Sequence, residues 1–146
     1  MEMKLYILFF KTLIEKSAKL SSKDHELVKD IIGMKIDLLN VQWIYRATKH
    51  YAIFPEEILI YSLPYGRRID YKKLKKLCYS QSLDEFKHLA NKYLKFDLFA
   101  EESDTFLGNK MNRYMYKELS NINQNGEDIS VVLTYIYKLS IELEDL

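Results

Sequence analysis

Between residues 24 and 50 the apolar positions fall into two interleaved helical series. Leu27, Ile31, Met34, Leu38, Val41 and Tyr45 make one, and Ile32, Ile36, Leu39 and Trp43 make the other. At 100° per residue the two stripes lie about 150° apart around a helix axis. A helix on the outside of a bundle needs a single apolar stripe. Two stripes predict a helix covered from both sides, at the centre of its fold.

Helical periodicity dominates the rest of the chain as well. Tyr6, Phe9, Leu13, Ser17 and Leu20 would line one face of a first helix, and Ser21 with Asp24 reads as the capping box that opens the second. Pro55 suits the first turn of a short helix through Leu63. The stretch LPYGRRID then predicts a turn, with Asp70 capping the helix YKKLKKLCY. Ser82 and Glu85 form a second capping box for a helix to about Tyr93, and a longer helix is expected from Leu98 to Leu119. NINQNGED predicts a turn, followed by a last helix on Ile129, Val132, Ile136, Leu139, Leu143 and Leu146. That pattern is unfinished where the sequence stops. The expectation is one all-α domain over residues 1–146, a helical bundle truncated from something longer.

Charge changes this picture in one respect. The net charge is only +1, yet residues 1–96 carry 18 Lys and Arg against 11 acids, and residues 97–146 carry 4 against 10. Within the basic part, RRIDYKKLKK places Arg67, Arg68, Lys72, Lys73, Lys75 and Lys76 in ten residues. Such a run reads either as a solvated amphipathic helix with Leu74 and Leu77 turned inward or as a face for nucleic acid, acidic lipid headgroups or an acidic protein surface. The near-neutral total argues against a nucleic-acid binder.

Candidate chemistry is sparse. His25, His50 and His88 are scattered without metal-ligand spacing, no Gly-rich phosphate loop exists, and the lone Cys78 sits in an amphipathic segment as a small buried residue would. No metal or cofactor is expected, and no disulfide can form within the chain. The apolar run LYILFF is too short to span a bilayer. The unusual residues are polar ones on the central helix. Gly33, Asp37 and Asn40 fall in one seam between the two stripes, while Lys35, Gln42 and Arg46 fall in the other. Half-covered polar groups need partners. Asp37 would accept from a neighbouring helix N-terminus, Asn40 would bridge backbone groups, Arg46 would pair with a carboxylate or carbonyls, and Gly33 would admit another backbone. No nucleophile or second carboxylate shares the seam, so its role is structural.

The stretch DIIGMKIDLLNVQWIYRATKHY resembles the corresponding helix of the C subunit (subunit d in eukaryotes) of V/A-type rotary ATPases, through Gly33, Lys35, Ile36, Asp37, Leu38, Asn40, Val41, Ile44 and Arg46. PEEILIYSLPYGRRID is similar to that family's next helix and its Pro-x-Gly turn, which includes Gly66. SLDEFKHLANKY and YIYKLSIELEDL resemble two further segments in the same order, with Lys92 in place of a small hydroxyl residue and Leu139-Ser140 in place of an acidic pair. The resemblance implies one repeat, plus part of another, of a three-repeat all-helical funnel. It implies a non-catalytic central-stalk subunit on the cytoplasmic side, bound to rotor-shaft subunits and the membrane proteolipid ring. The competing expectation is a stand-alone helical adaptor using the basic segment 67–76.

Overall fold

In a computed structural model the described residues, 2–99 and 107–123, form six α-helices and no strand. They are α1 (Glu2–Ser17), α2 (Ser22–His50), α3 (Pro55–Ile60), α4 (Tyr71–Cys78), α5 (Leu83–Leu94) and α6 (Leu107–Asn123). The expected final helix lies outside the described residues, as does the turn after Asn123.

Helix α2 is the axis, and each of the other five packs on it. Its first stripe enters the larger core. Met34 and Val41 of that stripe, and Ile44 beside it, are fully buried against Ile58, Ile69, Leu77, Phe86, Leu94, Tyr114 and Leu119. Ile32 and Ile36 of the second stripe form a smaller core with Phe10 of α1 and Leu63. The two stripes thus face two cores, with Trp43 at the end of the second stripe packing on the larger one, and hydrophobic burial holds α2 from both sides.

Local capping sets the helix starts. The Asp24 N–H donates to Ser21 Oγ at 3.3 Å, the Lys73 N–H to Asp70 Oδ1 at 2.9 Å, and the Glu85 N–H to Ser82 Oγ at 3.1 Å. Each satisfies one of the orphan N–H groups of a first turn. At the other end of α5, Lys95 takes a left-handed conformation (φ 54°). The turn after it is held by Asn91, whose carbonyl accepts the Phe96 N–H at 3.2 Å and whose Oδ1 accepts the Phe99 N–H at 3.0 Å.

Two boundaries and one buried face differ from the periodic pattern. α3 ends at Ile60 rather than Leu63, because both backbone groups of Leu63 are engaged by Asn40. Leu98 lies in the turn after α5, its N–H donating to the Phe96 carbonyl at 2.9 Å, and α6 is described from Leu107 onward. In α1, the expected face is not the buried one. Of Tyr6, Phe9, Leu13, Ser17 and Leu20 only Ser17 is buried, while Phe10 is buried with Ile7 and Ile14 packed beside it. LYILFF is apolar all round, so its periodicity does not select a side; contact with the second stripe of α2 does.

Candidate functional site

The polar seam of α2 faces the loop from Leu63 to Ile69, which crosses the helix between the two cores. Gly33 lets that loop come close. A Cβ there would sit 3.0 Å from the Arg67 nitrogen and 2.9 Å from Arg67 Cβ, and the Gly33 carbonyl accepts the Arg67 N–H at 3.3 Å. One turn on, Asp37 is fully buried. Its Oδ2 accepts the Arg68 N–H at 2.8 Å and its Oδ1 the Ile69 N–H at 3.2 Å. Asn40, also fully buried, donates from Nδ2 to the Leu63 carbonyl at 2.9 Å and accepts the Leu63 N–H on Oδ1 at 2.7 Å.

These bonds pin the loop at both ends and leave its middle little freedom. Tyr65 is held at φ 72°, a conformation that disfavours a bulky side chain. Gly66 follows because any side chain there would meet the Asp37 carboxylate and lie 2.8 Å from the Ile69 carbonyl. Burial pushes the Asp37 carboxyl up to about 7, although the N–H groups of Arg68, Ile69 and Arg67 and the Arg67 guanidinium pull the other way.

A second layer ties the loop to the far side of the bundle. Glu118 of α6 is buried and accepts from Arg67 Nη1 at 3.0 Å and Arg68 Nη2 at 3.2 Å. Arg68 Nη1 also donates to the Leu94 carbonyl at the end of α5. Lys73 Nζ donates to the Arg68 carbonyl at 2.9 Å and lies 5.4 Å from the centre of the Tyr93 ring. Beside this layer the Tyr114 hydroxyl is buried with no hydrogen-bond partner among the described residues, and burial raises its pKa. Independently, Trp43 Nε1 donates to the Ile58 carbonyl at 3.1 Å and braces α3.

Gly33, Asp37, Asn40 and Gly66 therefore converge on one turn, although Asp37 holds loop N–H groups rather than a helix N-terminus. Arg46 does not join them. It is exposed, because α2 has loop on one seam and solvent at this end of the other. The basic run is divided too. Arg67, Arg68 and Lys73 turn into the braced layer, while Lys72, Lys75 and Lys76 are exposed on α4, so the ten residues do not form one continuous face. Glu118 is the residue that sequence reasoning missed. Its signal was its place among Met111, Tyr114, Met115 and Leu119 on the apolar face of α6, where an acid must find a cation.

Cys78 is buried, its thiol pushed up to about 11 by burial against a partly offsetting bond with Ser62. Among the described residues no group of three or more His, Cys, Asp or Glu side chains is placed to hold a metal ion, and no helix is long and apolar enough to cross a membrane. What the geometry builds is a cross-braced all-α scaffold. The sequence model of the family described as ATP synthase (C/AC39) subunit matches residues 1–146, and the chain belongs to that family. It is thus a member of the C/AC39 subunits of rotary V/A-type ATP synthases. No curated protein and no solved structure matches it.

Proposed function

We propose that this chain acts as a non-catalytic connecting element of the central stalk, on the cytoplasmic side of the membrane. It would join the rotor-shaft subunits to the proteolipid ring and carry torque between them. The observation that supports this reading is the bracing of the Leu63–Ile69 turn by α2 on one side and by Glu118 of α6 on the other. Torque passes through a helical body only if its helices do not slide. Apolar packing alone is tolerant of small slips, whereas buried, directional hydrogen bonds register one element against another. Gly33, Asp37, Asn40 and Gly66 would then serve stiffness, not recognition, and the exposed Lys72, Lys75 and Lys76 remain available for an acidic partner surface.

The test is a pull-down from membranes of the source cell with this chain as bait. Recovery of both rotor-shaft subunits and proteolipid is the expected result. Recovery of nucleic acid with neither subunit overturns the reading in favour of a stand-alone adaptor.

A further inference from the structure

A cleft of about 550 Å³ lies between the end of α5, the turn after it and α6, and none of the Leu63–Ile69 turn lines it. Its walls carry His88, Asn91, Lys92, Lys95, Phe96 and Lys117. None of the three lysines forms an ion pair among the described residues. Among the described residues that line it, three lysines face one acid, Asp97. The cationic groups come from two helices and the turn between α5 and α6, not from one solvated helix face. That turn is preorganised: both the backbone and the side chain of Asn91 hold it, and Lys95 is kept at φ 54°, where Gly or Asn is the usual residue.

We infer that this cleft binds an anion carrying several phosphate groups in a row, recognised through Lys92, Lys95 and Lys117. Lysines contributed by α5, the turn after it and α6 suit a chain of charge better than a single oxyanion. Lysine acts as a point charge toward phosphate, without the planar fork that arginine offers a carboxylate. The aromatic wall does not provide a base platform. The Lys117 ammonium lies 5.6 Å from the centre of the Phe96 ring, and Tyr114 packs against the same ring at 5.6 Å. A nucleoside polyphosphate would accordingly be held by its phosphate tail alone. The inference is independent of the stalk reading, whose brace runs through Glu118 and not through Lys92, Lys95 or Lys117.

The experiment is calorimetric titration of the full chain with inorganic tripolyphosphate at low ionic strength, where exposed charges are least screened. Saturable binding at one site is expected. The Lys92→Ala/Lys117→Ala double variant should bind about tenfold more weakly or worse, whereas Lys16→Ala/Lys19→Ala, with the same loss of charge on exposed residues of the first helix and its following turn, should bind as wild type. Thermal melts of both variants establish that they fold. Adenosine triphosphate should bind no tighter than tripolyphosphate. Equal weakening by both variants overturns the site, since it reports net charge alone. So does a tenfold preference for the nucleotide, or the absence of saturable binding.

Discussion

Asp37 sets two opposing terms against each other. Two N–H groups bond its carboxyl and favour the ionised form, while full burial favours the neutral one, and burial prevails. A carboxyl whose folded pKa lies near 7, against 3.8 when unfolded, binds more protons in the folded state between those values. Its contribution to stability is therefore complete below about pH 4 and is lost as pH rises toward 7. Urea midpoints across pH 4 to 8 should show wild type losing stability relative to Asp37→Asn up to about pH 7, then running parallel to it. A gap that widens in favour of wild type as pH rises would mean that the N–H bonds outweigh burial. The neighbouring Tyr114 hydroxyl offers the converse case, a polar group with no partner among the described residues. Tyr114→Phe removes the desolvation penalty and keeps the ring, so it should raise stability by about 1 kcal/mol in chemical denaturation. At Gly66, alanine must displace the Asp37 carboxylate or the turn, and a loss of about 1–3 kcal/mol is expected from the same measurement.

The turn from Leu63 to Ile69 has no repetitive hydrogen bonding of its own and takes its shape from α2 and α6. This explains why α3 stops where it does and why Tyr65 tolerates a left-handed backbone. Its brace on α6 is a single acid shared by two guanidinium groups. Glu118→Ala leaves Arg67 and Arg68 with their charges partly buried and unmatched, and should lower stability by about 3 kcal/mol, the low end for a buried pair because both arginines retain some solvent. Equilibrium unfolding measures this directly, and a change below about 1 kcal/mol would show that the pair is solvated enough to be dispensable. At this scale the sequence was only partly legible. Gly33, Asp37 and Asn40 stood out because polar residues and a glycine interrupt a seam between apolar stripes. Arg46 satisfied the same pattern and is exposed. Glu118 satisfied it too, but on a helix whose partners were unknown.

For the whole molecule, the stalk reading predicts a separation of activities. In an ATPase assembled with Asn40→Ala, which removes both bonds to Leu63, ATP hydrolysis should persist while ion pumping per ATP falls. Parallel loss of both, or of neither, would remove the brace from the path of torque. The number of helices over the described residues, the caps at Ser21, Asp70 and Ser82, the central position of α2 and the family resemblance were all contained in the sequence, because they rest on local terms: periodic burial and bonds within one helical turn. The buried face of α1, the end of α3 and the partners of each polar seam residue were decided only by the tertiary structure. Those depend on groups 23 to 51 residues apart in the chain, such as Asn40 with Leu63 and Arg67 with Glu118. Periodicity says that a polar group must be satisfied; only the approach of a distant segment says which one is, and by what.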